Sequence, residues 1–210
     1  MIRAIIFDMD GTITRPNIDW KVLRERIGAV PGKTLIDHIE SLAPAEAERA
    51  SRILTETEMA ACVHSELNEG TLDMLDYLRG EGIRTALVTN NHREGMAAVL
   101  EKHRLSFDVA LSRDDGILKP AADLIHKALE GLSARPEETL SIGDGRYDVE
   151  ASALAGVPFL YLTHGQAALD HQPAVASMRE ALAWVKRRRR EAEGGRQKGE
   201  ASSNGLSTSV

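Results

Sequence analysis

Asp8 and Asp10 stand two residues apart at the end of a short apolar run, Ala4-Ile5-Ile6-Phe7, and Gly11-Thr12 follows them. Four apolar residues that stop at a carboxylate read as a buried strand whose carboxyl end opens at a site. Residues two apart share one side of an extended chain, so both carboxylates face one spot while Met9 turns away. Like charges held that close require a counter-cation or a shared proton. A carboxylate can also act as a nucleophile, with a second carboxyl giving and taking the proton. Gly11 permits a tight exit from the strand, although Asp-Gly is ordinary turn chemistry as well. The pair needs partners from elsewhere in the chain before it means anything.

The elements that could supply them follow in order. Residues 17–67 carry helical signals only. Trp20, Leu23, Ile27 and Val30 share one face of a helix that Pro31-Gly32 stops. Leu35, Ile36, Ile39 and Leu42 form a second helix with Thr34 as N-cap, and Pro44 opens a third. Gly80-Glu81-Gly82 ends a further helix containing Leu72, Leu75 and Leu78. From there strands and helices alternate: strand 83–88, helix 92–104, strand 109–111, helix 121–130, strand 139–142, helix 146–155 and strand 158–162. This alternation predicts an α/β fold, a Rossmann-like parallel sheet with helices on both faces, plus a small all-α cap inserted after the first strand. The expected division is a catalytic core of 1–14 and 68–185, a helical cap of 15–67, and a tail of 186–210.

In parallel sheets functional groups gather at the carboxyl ends of the strands. Asp8 and Asp10 follow the first strand, Thr89-Asn90-Asn91 the second, and Gly143-Asp144-Gly145-Arg146-Tyr147-Asp148 the fourth; Lys119-Pro120 lies near the third. Two or three acids at one place need a hard cation, and oxygen-only donors beside a phosphate favour Mg²⁺. A Thr hydroxyl, backbone N–H groups and a Lys suit the charge spread over phosphoryl oxygens.

Phe7-Asp8-Met9-Asp10-Gly11-Thr12 resembles the first motif of the haloacid dehalogenase-like hydrolase superfamily. Val88-Thr89-Asn90 resembles the second, Lys119-Pro120 the third, and Gly143-Asp144 with Asp148 the fourth. The likeness covers roughly residues 1–165, and Ser112-Arg113-Asp114-Asp115 before Lys119-Pro120 resembles the phosphoglycolate-phosphatase-like branch. The resemblance implies Asp8 as nucleophile and Asp10 as general acid/base, with Mg²⁺ on Asp8, the Asp10 backbone carbonyl and Asp144. Asp148 would support the metal shell or pair with Lys119. Thr89, the Asn90 N–H and Lys119 would hold the phosphoryl group, and Thr12 would order the loop beside Gly11. The implied activity is a Mg²⁺-dependent phosphatase for a small phosphorylated metabolite, phosphoglycolate or a sugar phosphate. A phosphomutase of the same fold and a catalytically silent binding protein are the alternatives. The second Asp disfavours halide displacement, which needs no acid for its leaving group.

Composition sets the remaining limits. The chain has 210 residues and a net charge of −6, but residues 186–210 hold seven basic and three acidic side chains, leaving −10 on the rest. An acidic body argues against a nucleic-acid surface on the folded part. One cysteine, Cys62, and no apolar run of spanning length point to a cytoplasmic protein without a membrane partner. Lys186–Arg190 continue a helix that starts near Ala174; beyond Glu193 the composition reads as disordered. Trp20 is expected in the packing of the helical insertion; His92, after the Thr89-Asn90-Asn91 loop, is expected either to touch substrate or to lie on a helix N-terminal surface. His64 and Cys62 are expected beside helix packing, and His164 and His171 show no metal-like spacing.

Overall fold

The computed structural model describes residues 1–30 and 32–203. Its sheet comprises β1 (Ala4–Phe7), β2 (Arg84–Val88), β3 (Val109–Leu111), β4 (Thr139–Gly143), β5 (Phe159–Leu162) and β6 (Ala174–Val175). All neighbours are parallel, in the order β3-β2-β1-β4-β5-β6. The direction of winding reverses at β1, which lies between β2 and β4. The crevice beyond its carboxyl end is where such sheets bind ligands.

Alternate residues of β1 feed two separate cores. Ile5 and Phe7 pack with Met74 and Leu78 of α4 (Thr71–Gly80), Met96 and Val99 of α5 (Arg93–His103) and Val185 of α8 (Met178–Ser203). Ala4 and Ile6 pack with Leu124, Ile125 and Ala128 of α6 (Asp123–Gly131) and Ala151 of α7 (Arg146–Leu154). Helices therefore cover both faces, and each fully buried Ile or Phe contributes about 1.5–3 kcal/mol. β1 is anchored firmly enough to aim Asp8 and Asp10.

Between β1 and α4 lie α1 (Trp20–Ile27), α2 (Leu35–Glu40) and α3 (Pro44–Val63). Leu23, Ile27, Ile39, Ala50 and Leu54 give them an apolar cluster of their own. Thr34 caps α2 as expected: its Oγ1 accepts from the Asp37 N–H at 3.0 Å, and the Asp37 carboxylate accepts from the Thr34 N–H at 3.3 Å. The end of α3 is tied to α5, because Lys102 Nζ donates to the Val63 and Ser65 carbonyls at 2.8 and 2.6 Å.

Three expectations change. α1 ends at Ile27 because Gly28, at φ 76°, makes the left-handed C-cap; Pro31 lies outside the described residues. Val30 thus falls beyond the helix, and Trp20 is 46 % exposed instead of packed inside. Ala174 begins β6, not a helix; two residues pairing with Tyr161 and Leu162 carry too short a pattern to read. α8 runs through the basic stretch and past Glu193 to Ser203. Lys186 Nζ sits 4.7 Å from the Tyr77 ring centroid and Arg189 pairs with Glu81 at 3.0 Å, so this run is held against α4 and its end. Residues 204–210 lie outside the described residues.

Candidate active site

The Asp8–Thr14 loop turns inward on itself. Met9 is fully buried, and its carbonyl accepts from the Thr12 and Thr14 N–H groups and from Thr14 Oγ1 at 3.2, 3.0 and 3.1 Å. Asn68, readable in the sequence only as part of a boundary, is the main clamp from outside. Its Nδ2 donates to the carbonyls of Gly11, Thr12 and Thr14 at 3.0, 2.8 and 3.0 Å. The Thr12 hydroxyl is buried without a partner, so its help to the loop comes through its N–H.

Asp8 and Asp10 leave this loop toward different partners. Lys119 Nζ donates to Asp8 Oδ1 at 2.7 Å, to Asp148 Oδ1 at 2.6 Å and to the Val88 carbonyl at 2.8 Å. Burial opposes the Lys119 charge, but Asp148 and Asp8 outweigh it and hold the ammonium charged. Burial pushes the Asp8 carboxyl well above the usual carboxylate range; Lys119 pulls it back, and Asp148, Asp144 and Asp10 add to the rise. The Asp10 Oδ2 accepts from Thr89 Oγ1 at 3.3 Å and Asn91 Nδ2 at 3.2 Å. Burial raises this carboxyl too, against those two hydrogen bonds. One acid faces an ammonium and the other faces neutral donors.

Asp8, Asp144 and Asp148 each offer a carboxylate oxygen within 4.8 Å of the others. Asp148 is aimed from the first turn of α7, where Oδ2 accepts from the Gly145 N–H at 3.1 Å. Gly11 lies so close to Asp144 that an added Cβ would collide with that carboxylate, and φ of 91° suits glycine. A Cβ at Gly143 would come within 2.6 Å of Asp148 Cγ. The backbone thus makes room for this acidic cluster, whose oxygen donors and excess negative charge fit a hard divalent cation. Asp10 enters the group through the same loop, but its carboxylate is directed to Thr89 and Asn91.

Asn90 splits its side chain across one backbone: Nδ2 donates to the Lys119 carbonyl at 2.7 Å and Oδ1 accepts from the Lys119 N–H at 2.9 Å. This pair fastens the loop after β2 to the segment carrying Lys119. His164, separated in sequence from every motif, places Nε2 3.7 Å from Asp144 Oδ2, and that contact raises its pKa first among several causes.

The contact least visible in the sequence joins α3 to the core. Arg113 Nη1 donates to both oxygens of Glu58, at 2.9 and 2.8 Å, and His92 Nδ1 lies 3.3 Å from Glu58 Oε2. His92 is buried, not on the surface, and burial followed by the Arg113 charge lowers its pKa. Burial raises the Glu58 carboxyl to about 7, against the pull of Arg113. Cys62 packs in the core as expected and accepts from Asn91 Nδ2 at 3.4 Å; burial pushes its thiol up to about 12. His171 meets Phe159 edge-on and takes no part in the acidic cluster.

These groups open into a cleft of about 320 Å³ between the sheet's carboxyl end and α1–α3. Asp8, Asp10, Thr89, Asn90, Lys119 and Asp144 all line it.

The family described as haloacid dehalogenase-like hydrolase matches residues 2–156. A pyrophosphatase PpaX of Halalkalibacterium halodurans is 31% identical over 174 residues, covering 74% of this chain and 81% of the relative. A haloacid dehalogenase-like hydrolase domain-containing protein of Arabidopsis thaliana is 25% identical over 158 residues, 70% of this chain and 64% of its own length. In fold, the chain is similar to CbbY of Rhodobacter sphaeroides, solved with xylulose-(1,5)-bisphosphate: the TM-score is 0.65 at 21% identity, covering 85% of this chain and 95% of that one.

Proposed function

We propose that this chain, which belongs to the haloacid dehalogenase-like hydrolase family, is a Mg²⁺-dependent phosphatase of small phosphate monoesters. The observation that carries the reading is the different company kept by two acids on one loop, Asp8 with Lys119 and Asp10 with Thr89 and Asn91.

In this reading an Asp8 carboxylate oxygen attacks phosphorus, and the bond from phosphorus to the ester oxygen breaks. Asp10 delivers its proton to the leaving oxygen, so the alcohol departs neutral. Asp10, now ionised, takes a proton from water as that water attacks the aspartyl phosphate. The bond from phosphorus to Asp8 then breaks and inorganic phosphate leaves. The raised pKa of Asp10 suits the first proton transfer, since the acid must arrive protonated. Lys119, the Thr89 hydroxyl and the Asn90 N–H hold the phosphoryl oxygens. Asp8 and Asp144, with the Asp10 carbonyl, would hold Mg²⁺, and Asp148 would support them while fixing Lys119. The cation supplies positive charge that neutralises the phosphoryl group and lets Asp8 act as an anion. The α1–α3 insertion serves as the cap over the cleft.

The experiment is phosphate release from a panel of phosphorylated metabolites, with Mg²⁺ and with chelator, beside Asp8→Asn. Mg²⁺-dependent turnover that Asp8→Asn abolishes supports the reading. No release from any ester by a folded, Mg²⁺-binding protein overturns it.

A further inference from the structure

We infer that the cleft selects an ester whose leaving group is uncharged and carries a flat apolar body, such as an aromatic ring. This selection of substrate class rests on the phosphatase reading for the reaction that follows binding. It does not rest on that reading for the binding itself.

The argument starts from the cations that could read an acidic leaving group. Three arginines line the cleft: Arg24, Arg113 and Arg146. Arg24 is committed to its own loop, where Nη2 donates to the Val30 and Lys33 carbonyls at 2.9 and 2.8 Å. Arg113 carries a carboxylate already, with both Glu58 oxygens within 2.9 Å. Arg146 pairs with Glu150 at 3.2 Å and lies 5.4 Å from the Tyr147 ring centroid, and its side chain is 59% exposed. Lys119 faces Asp8 and Asp148 at the reacting end. A second carboxylate or phosphate on the substrate would have to displace the buried Glu58 carboxylate from Arg113 or Asp8 and Asp148 from Lys119, at the desolvation cost of the group left behind; the exposed Arg146 offers an acid about 0–1 kcal/mol, as a surface ion pair does.

The remaining surface is of a different kind. Trp20 of α1, Leu35 and Ile36 of α2, Leu54 of α3 and Tyr147 of α7 line the same cleft. Trp20 starts its helix behind the Asp19 cap, whose carboxylate accepts from the Lys21 and Val22 N–H groups at 3.1 and 3.0 Å. That cap sets where the indole stands. Trp20 is nonetheless 46% exposed, while Leu23 one turn on is buried in the helical cluster. A partly exposed indole on the lining of a cleft that also includes a tyrosine offers stacking and apolar area to a flat ligand. It offers nothing that favours an acidic one over a neutral one.

Non-hydrolysable phosphonates test this on the full chain with Mg²⁺, by calorimetry. Benzylphosphonate presents a ring, 3-phosphonopropionate a carboxylate, and methylenediphosphonate a second phosphoryl group. Benzylphosphonate should bind at least about tenfold tighter than either acid, the effect of burying roughly 60 Å² of apolar surface. Trp20→Ala should erase most of that preference and Trp20→Phe should keep most of it. Equal or tighter binding of either acidic phosphonate, or an unchanged preference in Trp20→Ala, overturns the inference while leaving the phosphatase reading intact. The expected binding order without turnover of any ester upholds the inference and overturns the phosphatase reading.

Discussion

Gly11 lies directly against the carboxylate of Asp144, with no space for a side chain between the loop after β1 and the loop after β4. The turn glycine thus serves a second purpose besides its φ of 91°. It lets two acidic loops close on one another. Gly11→Ala should strain the loop by about 1–2 kcal/mol and push Asp144 away. Mg²⁺ affinity measured by calorimetry should fall about 10–100-fold, while denaturant unfolding shows a modest loss.

Lys119 bridges two carboxylates at once, 2.7 Å from Asp8 and 2.6 Å from Asp148. Lys119→Met leaves those acids facing each other in a buried place. Turnover should drop about 10²–10³-fold. Melting without metal should shift down, and added Mg²⁺ should raise the variant's Tm more than the parent's.

Asp10→Asn keeps a group that can hydrogen-bond but cannot deliver a proton. For an alkyl phosphate the rate should fall about 10²–10⁴-fold; for p-nitrophenyl phosphate, whose leaving group needs little help, it should fall much less. Burial raises the Asp10 pKa, so the acid form persists to higher pH than an ordinary carboxyl and is lost above its raised value. The parent's alkyl phosphate rate should therefore decline on the alkaline side, and Asp10→Asn should lack that limb.

Asn68 donates to three carbonyls of the loop that carries Asp10. Asn68→Ala leaves those acceptors without their donor. Urea unfolding should show a loss of about 1–3 kcal/mol, and kcat/KM should fall although Asn68 touches no reacting atom.

Glu58 is raised from an ordinary 4.5 to about 7 by burial, with Asp10 and Asp114 adding to the rise and Arg113 opposing it. The folded state therefore binds a proton there more tightly than the unfolded chain. Its stabilising effect is fully present below about 4.5 and is lost as pH rises through about 7. The contribution reaches about 3 kcal/mol at most. Urea unfolding at pH 5 and pH 8 should show a decline in the parent, and a smaller one in Glu58→Gln.

The site was legible wherever chemistry and strand end coincide. Asp8, Asp10, Thr89, Lys119 and Asp144 all follow or adjoin a strand, and the parallel sheet brings their side chains to one cleft. Asn68, Asn91 and the Glu58–Arg113 pair were not legible as partners. Each belongs to a stretch whose local pattern says only loop or helix, and each acts on residues 29 to 81 positions away.

Local sequence determined the strands, most helices, the Thr34 cap and the order of the acidic motifs, because periodicity and capping act over a few residues. It misjudged Trp20, because an apolar stripe does not say which of its members the neighbouring helices will cover. It missed β6, because two residues carry no period. Tertiary structure alone decided which acid meets the ammonium, which arginines are already paired, and which aromatic ring is left facing the cleft. Those outcomes depend on burial and on charges brought together across the fold, which no local pattern of residues encodes.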